Sequence, residues 1–333
     1  MIIPTIPTPD ELLDKGFKRA KKAANKVRTS KIPRHIKSQK IEENRVTTAC
    51  QVVKEKLKMI LDRVPDIESL PEFYQDYIDI TVGVDEMKQS LGALNWAYGI
   101  ITQLEKDYAK RIRRSSPENS TKLQRQLYGR LASVVNKIGD DLDFLDYGKS
   151  KLRNMPTIKF EAVTVVIAGF PNVGKSTLLR QITDAEPQVA NYPFTTKGIQ
   201  IGHIERKWKH IQIIDTPGLL DRPIGEMNDI ELNAILALEH LADSILFIFD
   251  ISETSGYPIE NQMNLFEEVN KIFKKEMILV FNKIDLVDED KRDKLERYED
   301  VFKDVVEISA FEGTRIDEII DRMEKVEKQV QIM

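Results

Sequence analysis

An α/β domain built on a mostly parallel six-stranded sheet, preceded by an all-α helical bundle, is the fold predicted by three observations. Up to Pro156, apolar residues recur at spacings of three and four and nowhere alternate. Beyond it, short apolar runs that end in turn residues alternate with helical stretches, the order of a βαβ sheet. One of those runs, 163–168, feeds the glycine-bounded stretch Gly169-Phe170-Pro171-Asn172-Val173-Gly174-Lys175-Ser176-Thr177, which opens a helical pattern at Leu178. Pro156 marks the boundary, so the expected domains are 1–156 and 157–333, each long enough to bury a core.

In chain order, Thr8-Pro9-Asp10-Glu11 places a hydroxyl at an N-cap, a proline at the first helical position and a glutamate three residues after the cap, so a helix starts there. Leu13, Phe17, Ala20, Ala24 and Val27 form its apolar stripe, while Lys15, Lys18, Arg19, Lys21, Lys22, Lys26 and Arg28 fill the other faces. Lys31, Arg34, Lys37, Lys40 and Arg45 continue the positive charge around a break at Pro33. Twelve positives between residues 15 and 45 face only Glu42 and Glu43. A solvated bundle face is the bland reading, but this imbalance favours a surface for RNA phosphates. A second helix is predicted from Ile41 to Val64, and a short one after Pro71 carrying Phe73, Tyr77 and Ile80. Gly83 recaps the chain for a long helix striped from Met87 to Ile112, and after the Ser115-Ser116-Pro117 break one further helix runs through Leu123 to Leu145. These stripes read as bundle core rather than as a cofactor site.

In the second domain the strand, turn and helix around Gly169–Thr177 let backbone N–H groups curl around an anion at a helix N-terminus, the requirement of the GxxxxGK[ST] pattern. Lys175 then reaches β- and γ-phosphates, and the Ser176 hydroxyl takes Mg²⁺. The turn-rich stretch 189–198, with Phe194, Thr195 and Thr196, fits a nucleotide switch before an alternating strand at 199–204 and a hairpin through 205–209. A strand at 211–215 runs into Asp215-Thr216-Pro217-Gly218, where the carboxylate suits the Mg²⁺ shell and the Gly218 N–H suits the γ-phosphate. Strands at 245–250 and 277–281 flank a helical stretch at 258–275, and the second leads into Asn282-Lys283-Ile284-Asp285. A carboxylate there accepts from guanine's ring N–H and exocyclic amine, a donor pair that adenine lacks. Lys283 would lay its stem against the base and Asn282 would tie the turn to the phosphate loop. A sixth strand from Val305 ends at Ser309-Ala310, before Phe311, and offers a backbone N–H to guanine O6.

Composition limits the classes further. Cys50 has no partner for an internal disulfide and sits on an apolar stripe, which points to a core thiol in a reducing, intracellular compartment. No apolar run approaches a membrane span and residues 1–5 lack a charged start before an apolar stretch, so neither insertion nor export is expected. His35, His203, His210 and His240 stand too far apart for a zinc site. The net charge of −4 hides an asymmetry: residues 1–60 hold fifteen Lys/Arg against six Asp/Glu, a net +9, and the rest of the chain carries −13.

The boxes GFPNVGKST at 169–177, FTT at 194–196, DTPGL at 215–219, NKID at 282–285 and SA at 309–310 resemble those of the translation-factor class of P-loop GTPases. NYPFTT at 191–196 and the DTPGL ending look like the Obg-type members. The whole chain is similar to the nucleolar GTP-binding protein 1 family, including archaeal members that join a basic helical domain to a GTPase domain. The resemblance implies an α/β P-loop GTPase that binds GTP or GDP through residues 169–177, 194–196, 215–219, 282–285 and 309–311. It places Mg²⁺ at Ser176, Thr196 and Asp215, and catalytic work on Asn172, Lys175, Thr196 and Gly218. Where Ras-like proteins have a water-orienting glutamine after Gly218, this chain has Leu219, so slow intrinsic hydrolysis is expected. Similar GTPases use an asparagine at the Asn172 position to hold K⁺ against the β- and γ-phosphates; a loop-closing asparagine is the other reading. The family further implies a cytoplasmic monomer that assists assembly of the large ribosomal subunit, with its precursor particle and rRNA as partners and no DNA or membrane. The TGS domain of Drg proteins, the KH domain of Era-like proteins and the long C-terminal extension of eukaryotic family members are not expected, and with the last goes nucleolar location. A scaffold that binds RNA and keeps a structural, barely hydrolysed guanine nucleotide is the competing function.

Overall fold

The computed structural model describes residues 4–193, 195, 198–206, 209–287 and 302–328, apart from the side chains of Arg34 and His35. The chain divides into two compact units, one made of residues 1–70 and 82–153, the other of 71–81 and 154–333.

In the first unit helix α1 (Pro9–Thr29) begins with the predicted capping box: the Glu11 N–H donates to Thr8 Oγ1 at 3.3 Å and the Thr8 N–H to Glu11 Oε2 at 3.2 Å. Its Ala20 and Ala24 are fully buried, and Phe17 stacks on Tyr128 with ring centroids 4.3 Å apart. Gly16 fits this seam because a Cβ there would lie 3.4 Å from the Ala49 carbonyl oxygen of helix α2 (Arg34–Arg63). Helix α2 starts well before the Ile41 that spacing predicted, since residues 34–40 are nearly all polar and give an apolar stripe little to mark. Val46, Ala49, Val53, Leu57 and Ile60 of α2 are fully buried against α1, helix α4 (Val84–Arg113) and helix α5 (Pro117–Lys137). Cys50 lies in the same core, where burial first and the charge of Glu105 second push the thiol up to about 12. The single last helix expected through Leu145 is two, α5 and α6 (Gly139–Leu152). The chain breaks at Ile138, and Gly139 with Asp140 and Asp141 opens a new N-terminus; the apolar stripe runs across the break and so concealed it.

The second unit holds one sheet. Its strands are β1 (Val163–Ala168), β2 (Gln188–Ala190), β3 (Ile199–Arg206), β4 (Lys209–Asp215), β5 (Ser244–Asp250), β6 (Glu276–Asn282) and β7 (Val305–Glu307), in the order β2-β3-β4-β1-β5-β6-β7. Among the described residues the sheet has seven strands, not the six expected. The extra one, β2, is a three-residue edge antiparallel to β3, with Val189 69% exposed, too short to alternate and too solvated to read as apolar. The pairs from β4 through β1, β5 and β6 to β7 are parallel, and β1 and β5 are buried at every residue, as central strands covered on both faces must be. Helix α7 (Lys175–Ile182) packs with α10 (Ile316–Lys325), and α8 (Asp229–Glu239) packs with α9 (Ile259–Phe273).

Helix α3 (Glu72–Thr81) belongs to this unit, although the sequence placed everything before Pro156 in the bundle. Its partners explain why. Phe73 stacks on Tyr192 at 6.2 Å and 9°, the Tyr77 hydroxyl donates to Asn191 O at 3.2 Å, and the Tyr74 hydroxyl donates to Pro156 O while accepting from the Ile158 N–H. Tyr192, 5% exposed, in turn donates to Ala234 O on α8 at 2.7 Å, so the start of the threonine loop is clamped between α3 and α8. Among the described residues no helix is long and apolar enough to cross a membrane.

Candidate nucleotide-binding site

Strand β1 delivers residues 169–174 to the N-terminus of α7, the strand, loop and helix read from the sequence. Gly174 sits at φ +107° with an added Cβ only 2.1 Å from the Asn282 Nδ2, so glycine alone fits. That same Asn282 amide donates to Val173 O at 2.7 Å, and its Oδ1 accepts from the Ala310 N–H at 2.9 Å. One buried side chain thus joins the phosphate loop, the NKID turn and the SA turn, three segments far apart in sequence.

Lys175, 7% exposed, donates from Nζ to Gly169 O at 2.7 Å and Phe170 O at 2.8 Å. Burial holds its ammonium below the ordinary lysine value, against the pull of Asp221 and Asp215. Ser176 Oγ donates to Asp215 Oδ2 at 2.7 Å. Burial pushes the Asp215 carboxyl above the usual range, although Ser176 and Lys175 oppose it. Each charge is buried more deeply than its neighbours compensate; a polyphosphate against Lys175 and a cation against Asp215 would supply the missing opposite charge. Asp215 Oδ1 and Thr216 Oγ1 are buried with no hydrogen-bond partner. Hard oxygens with a spare lone pair beside a serine hydroxyl fit Mg²⁺, which takes one or two protein oxygens and leaves its other positions to water and phosphate. Among the described residues no cluster of three His, Cys, Asp or Glu side chains could hold a metal.

On the base side, Lys283 has a left-handed backbone at φ +63° and leads into the short 3-10 turn Ile284–Leu286 that carries an exposed Asp285. Its Nζ reaches Asp250 Oδ2 at 2.7 Å and Thr254 Oγ1 at 3.0 Å. Ser309 and Ala310 are buried, while Phe311 stands 86% exposed beside them. Around the phosphate end, the Gly218 N–H donates to Asp221 Oδ2 at 2.9 Å and the Gly169 N–H to Leu220 O at 2.9 Å. Pro217 is half-buried, Leu219 fully buried, and Thr177 exposed on the first turn of α7. Asn172 is exposed at φ +63°, Pro171 half-buried and Phe170 buried. Thr195 donates from Oγ1 to Tyr192 O at 2.8 Å. Phe194 and Thr196, with Lys207 and Trp208 of the hairpin, lie outside the described residues.

Four site residues escaped the sequence reading: Asp221, which holds the Gly218 amide; Asp250, which holds Lys283; Tyr257, whose ring stacks on Phe170 at 4.2 Å; and Tyr192. Tyr192 stands inside the NYPFTT box that the sequence marks, and a signal existed for Asp250 as well. It ends an apolar strand as Asp215 does, in the same sheet and at the same edge.

A family model described as the NOG1 N-terminal helical domain matches residues 2–159, and one described as a 50S ribosome-binding GTPase matches residues 164–283. An uncharacterized protein of Methanocaldococcus jannaschii is 46% identical over 290 residues, 87% of this chain and 81% of that one. The nucleolar GTP-binding protein 1 of Eremothecium gossypii is 35% identical over 290 residues, 86% of this chain and 44% of its own length. That of Saccharomyces cerevisiae is 36% identical over 254 residues, 74% of this chain and 39% of its own. The chain therefore spans less than half the length of these two named relatives.

Proposed function

We propose that this chain, which belongs to the nucleolar GTP-binding protein 1 family, is a slow GTP-hydrolysing switch of the cytoplasm that assists assembly of the large ribosomal subunit. Residues 157–333 bind and hydrolyse GTP with Mg²⁺, and residues 1–156 dock on rRNA of the precursor particle. The observation that carries the nucleotide half is Asn282, whose one side chain brings the phosphate loop, the guanine turn and the SA turn within hydrogen-bond reach of each other. In this reading Lys175 would exchange its own loop carbonyls for β- and γ-phosphate oxygens, and Ser176 and Asp215 would hold Mg²⁺, which would supply positive charge against those oxygens. Gly218 would turn its N–H from Asp221 to the γ-phosphate and Asp285 would take the guanine edge; Thr196, the third residue the resemblance assigns to the metal, lies outside the described residues. Leu219 is buried and brings no hydrogen-bonding group to an attacking water, which supports slow turnover. Sedimentation with large-subunit particles under GTP, GDP and a non-hydrolysable analogue tests the whole reading: a switch binds differently in the three, and a scaffold with a structural nucleotide binds alike and turns over nothing.

The RNA half rests on the charge of the first unit. Lys15, Lys18, Arg19, Lys21, Lys22, Lys26 and Arg28 are all exposed on α1. Lys56 is held below the usual lysine value by burial first and then by the charges of Lys15, Arg63 and Lys149, the mark of a face crowded with positives. On α1 Lys18 pairs with Asp14 at 3.2 Å between two exposed side chains, and further along Lys40 and Arg45 are paired with the buried Glu43 and Glu42. Replacing Lys18, Lys21, Lys22 and Lys26 with glutamine is expected to flatten the log–log salt dependence of rRNA binding by roughly one unit for each phosphate that the variant leaves unneutralised. A variant of native helicity with unchanged affinity and slope would remove α1 as the anchor.

Potassium dependence is the second expectation. The left-handed backbone at Asn172 would by itself favour asparagine, as a loop-closing role requires. Its exposure leaves the amide oxygen accessible to a cation beside the β- and γ-phosphates, where positive charge does the work of an arginine finger. Exchange of Na⁺ for K⁺ at fixed ionic strength is expected to raise turnover at least about tenfold, a gain of roughly 1.4 kcal/mol, and Asn172→Ala to abolish the response. Equal rates in the two salts would leave Asn172 with loop closure alone.

A further inference from the structure

We propose that Asp250 is a positioning residue for base recognition, holding Lys283 back so that the turn after it presents Asp285 to the purine. The proposal rests on the reading of Asn282–Asp285 as the guanine site.

Strands β5 and β6 pair in register so that Asp250 lies beside Asn282, and the carboxylate therefore sits under the first residue of the guanine turn. It is fully buried. Oδ1 accepts from the Ser252 N–H at 3.0 Å and from Ser252 Oγ at 2.5 Å; Oδ2 accepts from the Ser255 N–H at 2.7 Å and from Lys283 Nζ at 2.7 Å. Burial alone would raise this carboxyl, but the hydrogen bonds from Lys283, Ser252 and Ser255 outweigh it and keep it below the usual carboxylate range, so it stays an anion. A buried anion bonded to one cation is a directional anchor, because moving the ammonium away strands the carboxylate without its counter-charge.

What the anchor holds is a strained turn. Lys283 is a non-glycine residue at φ +63°, a conformation that persists only where its surroundings enforce it. Two sets of bonds enforce it here. Asn282 is fixed on one side by Val173 and Ala310, and on the other the Lys283 side chain is drawn over the end of β5 to Asp250 and Thr254. The Ile284 N–H donates to Ile308 O and the Leu286 N–H to Lys283 O, closing the turn on which Asp285 rides. Loss of the Asp250 charge releases the lysine, lets its backbone relax, and moves the Asp285 carboxylate relative to a base still held by its phosphates.

A merely structural role makes a different prediction. The loop capped by Asp250 continues to Tyr257, which stacks on Phe170 of the phosphate loop, so simple loosening would weaken every triphosphate alike. A positioning role changes the ratio between GTP and inosine triphosphate, which lacks only the exocyclic amine. In the full-length chain with Mg²⁺, Asp250→Asn is expected to lower the GTP-to-inosine preference by about tenfold while inosine triphosphate affinity stays within about threefold of wild type. Lys283→Met, which keeps the apolar stem and removes the ammonium, is expected to lower the same ratio, and the double variant to lower it no further than either alone. It also serves if Asp250→Asn does not fold. An unchanged ratio in either folded variant, or an equal loss for both nucleotides, overturns the proposal. A wild-type protein that binds the two nucleotides equally would instead bring down the guanine-site reading, and this proposal with it.

Discussion

Lys175→Ala lowers GTP affinity by about two to three powers of ten, with ATP and inosine triphosphate affected by the same factor. The expected size follows from the environment of the ammonium. Lys175 is buried at the start of α7 and bonded to two loop carbonyls that a phosphate oxygen can outbid, since charge-assisted bonds to an anion are about twice as strong as bonds to a neutral carbonyl. Removing one partner of a buried, hydrogen-bonded charge pair costs about 2–5 kcal/mol, and each 1.4 kcal/mol is a factor of ten. The loss does not depend on the base because Lys175 lies at the phosphate end, tied to residues 169 and 170. Titration calorimetry on the purified variant, after a melting curve shows that it folds, gives the number. GTP affinity within about threefold of wild type would mean that the loop cradles no phosphate.

Asp285→Ala is expected to produce the complementary pattern: GTP weakens by about two powers of ten while ATP, already a poor ligand, does not change. Guanine brings two adjacent donors to one carboxylate, and without it both lose their partner on binding, the situation in which sites discriminate most strongly. Asp285 is the exposed middle residue of the turn Ile284–Leu286, so its loss is expected to leave the melting temperature within about 2 °C of wild type. Competition of ATP against labelled GTP reads the effect. Equal competition in the wild-type protein would exclude guanine selectivity, and a variant that loses ATP affinity as well would put Asp285 among the phosphate ligands. Together the two variants separate the two ends of the nucleotide.

Short-range chemistry made much of this site legible before any coordinates. Each box is a run of consecutive residues whose types answer to backbone geometry or to one proposed ligand atom: Gly174 to its positive φ, Ser176 and Asp215 to the metal proposed for them, Asp285 to the proposed donor pair. The boundaries of α1 and α4 were legible for the same reason, because Thr8, Glu11 and Gly83 act on residues within one turn. What stayed hidden depends on pairs distant in sequence. Nothing near Asp250 announces Lys283, and nothing near Tyr192 announces Phe73. Strand β2 was invisible because three residues cannot show a period, and the break at Ile138 because both helices keep their apolar stripe in phase across it.

The clamp of α3 on Tyr192 and α8 has a consequence for the order in which the chain is made. Phe73 and Tyr77 leave the ribosome early, between two stretches of the helical unit, yet Tyr192, whose ring lies against both, and Ala234, which accepts from the Tyr192 hydroxyl, are synthesised only after that unit is finished. At ordinary translation speeds the interval is on the order of ten seconds, during which the two aromatic rings have only each other and Tyr74 of the same helix as native ring neighbours. The helical unit can close over its own core in that time, because α2 and α4 carry its buried residues and both precede Arg153. The nucleotide unit cannot cover its first-made helix until Tyr192 and α8 have been made. A gene cut at Pro156 separates them for good: its downstream product keeps every GTP box and loses the surface on which the threonine loop is seated.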